Sequence, residues 1–304
     1  MTAQLIDGKR IAAEIHAEIA AEAARLLQEK GIRPGLAVIL VGDDPASKVY
    51  VRSKGRACEE LGFHSETIEM PAHSAQDQVA AQIERLNRDP SVHGVLLQIP
   101  VPAHLNAEAL IHSISPEKDV DGLHPLNVGR LALGLPGFIP CTPQGAIELL
   151  LRSGINPKGK KAVIVGRSNL VGRPLAQLLS LKRHGGDATV CICHSRTPDI
   201  GAEARQADIL VAATGQAAMI KADMVKPGAA VIDVGISQVK DPTKKSGYRL
   251  AGDVDFEAVK EVAGWITPVP GGVGPMTIAM LMRNTLWAAH RSLGACPTRL
   301  TAGT

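Results

Sequence analysis

The chain has 304 residues, 45% of them hydrophobic, enough for a sizeable core and, at roughly 150 residues per domain, for about two domains. Three Phe, two Trp and two Tyr stand against 30 glycines and 20 prolines; so few rings argue against an all-β sandwich and against a nucleic-acid binder that stacks single-stranded bases. The net charge of +3 is spread along the chain and is too weak for a polyanion-binding surface.

At the N-terminus, Asp7, Lys9, Arg10 and Glu14 occupy the place where a signal peptide needs an apolar stretch. No uninterrupted apolar run reaches the about 18 residues of a membrane span. The five cysteines, Cys58, Cys141, Cys191, Cys193 and Cys296, are odd in number and lack a paired spacing, which reads as reduced thiols. A cytoplasmic α/β protein, without membrane or nucleic-acid partner, is the expectation.

In chain order, Asp7 caps a helix with apolar residues at Ile11, Ile15, Ile19, Ala23 and Leu26 or Leu27, stopped by Gly31. Gly35-Leu-Ala-Val-Ile-Leu-Val41 reads as a strand buried on both faces of a parallel sheet. A helix from about Pro45 to Leu61, a strand near Ser65–Met70, a helix from Ser74 to Asn87 and a strand over Val92–Ile99 follow. Strands separated by helices of this length mean right-handed βαβ crossovers. The Pro/Gly-rich stretch Ser115–Pro140 breaks the rhythm, and Thr142-Pro143 opens a new helix. Lys160–Val165, Ala188–Cys193, Asp208–Ala212 and Ala229–Val234 are further strands, Pro275–His290 is a last helix, and Arg291–Thr304 is a loose tail.

The strand ending at Val165 runs into Gly166-Arg-Ser-Asn-Leu-Val-Gly172-Arg-Pro174 and then an apolar helix. Such a turn offers backbone N–H groups and a helix dipole to a phosphate. Ser168 stands where the common G-x-G-x-x-G motif has its second glycine, so the turn alone is a weak signal; the strands that follow it strengthen the reading. An acidic residue at the C-terminal end of the second strand marks an NAD site. Asp187 has the right count from Gly166 but precedes that strand. The C-terminal end reads His194-Ser195-Arg196-Thr197, a cation and two hydroxyls that suit a 2′-phosphate, with Arg167 available to join them. This favours NADP over NAD. Cys191-x-Cys193-His194 is read as a buried strand rather than a metal site, since no second ligand pair follows at zinc spacing.

In the first half, Tyr50 and Lys54 share a helix face at i and i+4. Gln98 ends a strand, the side of an open α/β sheet where substrates bind. Asp121 lies in Asp119-Val-Asp121-Gly122, within irregular chain. Singly, each has an ordinary structural explanation: a solvated helix face, a strand end, a turn.

Together and in order, Tyr50-Val-x-x-Lys54, Gly94-Val-Leu-Leu-Gln-Ile-Pro-Val-Pro102, Pro116-x-Lys-Asp-Val-Asp-Gly122, Gly166-Arg-Ser-x-x-Val-Gly-x-Pro174, Asp233-Val-Gly-Ile236 and Pro268-Val-Pro-Gly-Gly-Val-Gly-Pro-Met-Thr277 resemble the bifunctional methylenetetrahydrofolate dehydrogenase/methenyltetrahydrofolate cyclohydrolase family, from about residue 5 to 290. The resemblance implies two domains flanking a cleft: an N-terminal α/β catalytic, folate-binding domain (1–141, with helix 275–290 packing back on it) and a C-terminal Rossmann-type parallel-sheet domain (142–274). It implies a homodimer acting on a small-molecule folate with NADP and no metal. Lys54 corresponds to the catalytic lysine, Gln98 to its hydrogen-bonding partner, Tyr50 to the ring against the folate and Asp121 to the carboxylate that anchors the pterin. Pro270 and Gly271 fall to the substrate, and Gly166, Arg167, Ser168, Ser195, Arg196, Ile236 and Thr277 to the cofactor. The stretch Lys182-Arg-His-Gly-Gly-Asp187 departs from some relatives like a short insertion, which bears on the placement of Ser195 and Arg196. For Lys54 to act as a base, its pKa must fall through burial and neighbouring cations such as Arg52 and Arg56. Two other readings stand beside this: a shikimate or amino-acid dehydrogenase of similar shape, which lacks the terminal Pro-Gly-Gly block, and a binding protein without turnover, which the intact Tyr50, Lys54, Gln98 and Asp121 argue against.

Overall fold

A computed structural model of the chain describes residues 2–244 and 247–294. They form two compact units, one from residues 2–13 and 142–277, the other from 14–141 and 278–294. The last helix runs to Ser292, two residues into the stretch expected to be a tail. Residues 295–304, Cys296 among them, lie outside the described residues.

In the unit of residues 14–141, three parallel strands lie in the order His64–Met70, Gly35–Val41, Gly94–Leu97. Every residue of Gly35–Val41 is buried, as a central strand covered on both faces requires. One face, with Ala37, Ile39, Val41, Val95 and Leu97, packs on Val79, Ile83 and Leu86 of the helix Gln76–Arg88. The helix Pro45–Glu60 starts where Asp44 accepts the Ser47 N–H at 2.7 Å and Pro45 fills the first turn. Its buried residues Ser47, Val51, Lys54 and Cys58 recur at spacings of four, three and four, one face of a helix. A lysine thus sits in the inward stripe.

The segment Ser115–Pro140, expected to be irregular, contains the helix Pro125–Ala132. It is too short for a periodic signal and is made by its cap, His124 Nδ1 accepting the Leu126 N–H at 3.1 Å, with Pro125 in the first turn. From Ile278 onward the helix Val273–Ser292 packs within this unit. The Trp287 ring meets Phe138 edge to face at 4.8 Å, and buried Asn284 donates through Nδ2 to Val120 O at 2.8 Å and Ile139 O at 3.1 Å. Asn284→Leu leaves both carbonyls without that donor. It is expected to lower stability by roughly 2–4 kcal/mol in urea unfolding; an unchanged midpoint would show that the carbonyls find other donors.

The unit of residues 142–277 holds six parallel strands in the order Gln4–Leu5, Trp265–Ile266, Ala230–Asp233, Ile209–Ala212, Lys161–Val165, Thr189–Cys193. Gln4–Leu5 was expected with residues 1–141, yet it pairs with Trp265–Ile266 in this sheet. Strands of two residues carry no periodicity, and neither of these two is visible in the sequence. A hairpin of Ser237–Lys240 and Tyr248–Ala251 was likewise unforeseen. Val163, Val165, Leu210, Ala212, Val231 and Ile266 build one face of the core. From Lys161–Val165 the chain steps outward to Thr189–Cys193, then reverses to Ile209–Ala212 on the other flank. That reversal creates the crevice where open α/β sheets bind ligands.

Candidate functional site

Lys54 is 9% exposed, and its Nζ donates to Gln98 Oε1 at 2.8 Å. Gln98, 8% exposed, follows the strand Gly94–Leu97 and is placed by its own N–H bonding Ile39 O at 2.9 Å. Its Nε2 is committed to Ile99 O at 2.7 Å, so Oε1 faces the lysine as an acceptor. Burial pushes the Lys54 pKa down, and the charge of Asp121 opposes that shift. Arg52 and Arg56, expected to help, are exposed; desolvation does the work. Tyr50, one turn earlier at the edge of the stripe, keeps 39% of its surface exposed and offers a ring beside the lysine.

Asp121 comes from the segment after Lys118, whose carbonyl accepts the Val95 N–H at 2.8 Å and so ties the segment to the strand that leads to Gln98. Asp119 shapes it: 1% exposed, it accepts from Leu123 N at 3.1 Å, His124 N at 2.8 Å and Asn127 Nδ2 at 2.8 Å. Burial lifts its carboxyl to about 6 against those bonds. Asp121 is raised by desolvation too, while Lys54 pulls it down. At Gly122 (φ +71°) a Cβ would lie 2.6 Å from the Ile139 carbonyl carbon, so only glycine fits. Cys141, missed as a site residue, is buried and feels both Asp121 and Lys54; burial drives its thiol well above the ordinary range, so it stays protonated. The result is a group of buried Lys54, Gln98 and Cys141 with half-buried Asp121, able to hold a lysine that releases its proton readily.

In the unit of residues 142–277, the strand Lys161–Val165 turns at Gly166 (φ +130°) into the helix Gly172–Ser180. A Cβ on Gly166 would stand 2.2 Å from Ala213 O, and one on Gly172 2.1 Å from Gly166 O. The turn therefore packs backbone on backbone. Ser168 Oγ accepts the Val171 N–H at 3.1 Å, and no side chain caps the helix, which leaves its positive end to a ligand. Beyond the strand Thr189–Cys193, Thr197 Oγ1 accepts the His194 N–H at 3.0 Å and His194 Nδ1 accepts the Arg196 N–H at 3.1 Å. These bonds close the turn inward and leave Ser195 and Arg196 exposed, with Arg167 exposed on the neighbouring turn. Asp187 lies at the start of its strand, where its carbonyl accepts the Gly159 N–H at 2.9 Å, at the other end of the sheet from Gly166. A phosphate-bearing dinucleotide fits a cradle without Cβ atoms, an open helix start and two free guanidinium groups.

Ile236 is 48% exposed after Gly235. Thr277 Oγ1 shares a hydrogen bond of 2.9 Å with Thr142 Oγ1. Gly271 accepts the Lys9 N–H at 3.1 Å, and Pro270 before it is exposed. Asp253 escaped sequence reading, and Asp233 entered it only as the first residue of the motif Asp233-Val-Gly-Ile236. Asp253 Oδ2 accepts from Thr214 N at 2.5 Å and Gly215 N at 2.9 Å, pinning the loop after Ile209–Ala212. Asp233 Oδ1 accepts from Gly235 N at 3.0 Å and Asp253 N at 2.9 Å, with burial lifting its carboxyl to about 6. Cys191 and Cys193 face each other at 4.0 Å between sulfurs on their strand. No group of three or more His, Cys, Asp or Glu placed to hold a metal occurs among the described residues. Nor is any described helix long and apolar enough to cross a membrane.

Residues 6–121 match the family model of the tetrahydrofolate dehydrogenase/cyclohydrolase catalytic domain, and residues 140–293 that of the NAD(P)-binding domain of the same name. The chain is 57% identical over 291 residues to the bifunctional protein FolD of Moorella thermoacetica, covering 96% of this chain and 100% of that one. Among solved structures it is similar to the FolD methylenetetrahydrofolate dehydrogenase/cyclohydrolase of Campylobacter jejuni (TM-score 0.89, 48% identity, 95% and 99% of the two chains). It is also similar to the Trypanosoma brucei N5,N10-methylenetetrahydrofolate dehydrogenase-cyclohydrolase complexed with NADP cofactor and inhibitor (TM-score 0.92, 42% identity, 97% and 100%).

Proposed function

Since the chain belongs to the tetrahydrofolate dehydrogenase/cyclohydrolase family, we propose that it oxidises 5,10-methylenetetrahydrofolate to 5,10-methenyltetrahydrofolate with NADP and then hydrolyses the product to 10-formyltetrahydrofolate. The observation that carries the reading is the buried Lys54, held by a neutral amide and adjoining a carboxylate at the C-terminal edge of its sheet. Residues up to 141 with the last helix supply the folate side, and residues 142–274 the NADP side. Absorbance of the methenyl product, formed with NADP or NAD and then decaying in water, tests both steps together; a product that accumulates without enzyme-accelerated decay removes the second.

The carbon bridging N5 and N10 is activated by the adjacent nitrogens, so NADP supplies the hydride acceptor and no strong base is needed for that step. Asp121 accepts hydrogen bonds from the donor edge of the pterin, Tyr50 lies against its ring, and Pro270 and Gly271 complete the substrate contacts. In the second step, water adds to the methenyl carbon and neutral Lys54 takes its proton at Nζ. The same Nζ then returns a proton to N5 as the carbon–N5 bond breaks and the hydroxyl proton leaves to water, forming the carbonyl of the formyl group on N10. Gln98 Oε1 holds one Nζ proton throughout and, being uncharged, does not stabilise the ammonium as a carboxylate would.

For the cofactor, Arg196 and Arg167 hold the 2′-phosphate while Gly166, Ser168, Ser195, Ile236 and Thr277 shape the rest of the site. Arg167→Ala combined with Arg196→Ala is expected to raise the NADP KM by roughly 10²-fold, from the loss of charge-assisted hydrogen bonds, with little change for NAD. Equal effects on both cofactors place the phosphate elsewhere. The same reading makes the enzyme a cytoplasmic homodimer, which sedimentation of the full chain tests for subunit number.

A further inference from the structure

Where the strands of the three-stranded sheet begin, the described residues line a cavity of about 820 Å³. It opens at the other end of the strands from Gln98: Gly35, His64 and Gly94 start the three strands, and Arg33, His64 and His93 stand on its wall. Arg33, Lys118 and Arg291 bring three cations to it against one carboxylate, Glu117. That carboxylate is already taken, by Arg291 Nη2 at 2.5 Å and Arg130 Nη1 at 3.4 Å. Asp89, beside the lining residues Pro90 and Ser91, turns its own carboxylate onto Ser91 N and Oγ at 2.8 and 2.6 Å. Glu117 thus offsets Arg291, and Arg33 and Lys118 remain without a carboxylate on the wall to cancel them.

Its donors are fixed in place. His93, 7% exposed, accepts the Gly35 N–H on Nδ1 at 3.0 Å, so its proton sits on Nε2, which has no partner among the described residues. Arg33 is anchored through Nε to Gly62 O at 2.7 Å, leaving its two terminal nitrogens free. The Arg291 guanidinium lies over Trp287, 5.1 Å from the ring centre, and its Nη1 is buried without a hydrogen-bond partner. Lys118 gives two of its three protons to Leu86 O at 2.9 Å and Asp89 O at 2.6 Å. Ile32, Val92 and Leu293 supply apolar wall between these groups.

We propose that this cavity is a second binding site, for a small organic anion whose phosphate or carboxylate is held by Arg33, His93 and Arg291 while its apolar body lies on Ile32, Val92 and Leu293. An oxyanion there answers the unpartnered Arg291 and His93 donors together, and the Trp287 ring holds the Arg291 guanidinium in place. The site does not depend on the folate reading, because none of its residues belongs to the group around Lys54.

Trp287 is a built-in reporter, and Trp265→Phe leaves it as the only tryptophan in the chain. In that background, with NADP saturating so that its own phosphate site is closed, the full chain is titrated with phenyl phosphate and with inorganic phosphate at constant ionic strength. Expected is a saturable change in Trp287 emission with phenyl phosphate, at least about tenfold tighter than with inorganic phosphate, and weakened at least about tenfold by Arg33→Ala. Arg33 is exposed, so this variant tests binding without disturbing the fold. No saturable response, or one that Arg33→Ala leaves unchanged, overturns the site. Equal affinity for the two probes overturns the organic ligand in favour of a bare oxyanion.

Discussion

Lys54→Met is expected to slow hydrolysis of methenyltetrahydrofolate by roughly 10²–10⁴-fold, the contribution of a placed general acid–base group, while NADP still binds. Folding is expected to change little, because methionine fills the space of the lysine stem and removes an ammonium that burial disfavours. Against this stands Gln98 Oε1, which loses its donor at a cost of about 1–3 kcal/mol. Lys54→Arg separates two explanations of the lost activity. Arginine restores the charge and the donor to Gln98, but its guanidinium does not give up a proton near neutral pH. If Lys54 works as a base, the arginine variant is as slow as the methionine variant; if it only positions substrate by charge, arginine recovers much of the rate. Unimpaired hydrolysis in Lys54→Met removes the lysine from the mechanism.

Lys54 also shows how far sequence reading reached. A tyrosine and lysine four apart on a helix usually mark a wetted face, and the family resemblance alone argued otherwise. The local signal was nevertheless present: Ser47, Val51, Lys54 and Cys58 follow the spacing of a buried stripe, and a lysine among them has its ammonium drawn inward. The glycine turn after Lys161–Val165 was legible for a related reason. Glycines at 166 and 172 and a cation at 196 are local features, and strand direction was enough to set Asp187 aside. What escaped depends on contacts far apart in sequence. Cys141 belongs with Lys54 and Asp121, Asn284 reaches back to Val120, and Asp253 reaches Thr214; no periodicity of 2 or 3.6 encodes such pairs. Of the two causes expected to lower the lysine's pKa, burial sets the direction, whereas Arg52 and Arg56, near in sequence, are turned to solvent.

Asp121→Asn tests the coupling between anchoring and proton transfer, because the two roles move different observables. As the anchor, the carboxylate accepts charge-assisted hydrogen bonds from the pterin, and an amide of the same shape presents a donor where an acceptor is needed. Loss of about 3 kcal/mol in such bonds raises the folate KM by roughly 10²-fold. As a neighbour of Lys54, the carboxylate also opposes the burial that lowers the lysine's pKa. Removing its charge leaves burial less opposed, so the Lys54 pKa falls further. Neutral lysine is the working form, so the rate of hydrolysis at saturating folate rises with pH through that pKa, and in Asp121→Asn this rising limb moves to lower pH. A change confined to shape would raise KM and leave the limb where it is. An unmoved limb would also follow if Asp121 is neutral in the working enzyme, and a limb displaced to higher pH would mean that the titrating group is not Lys54.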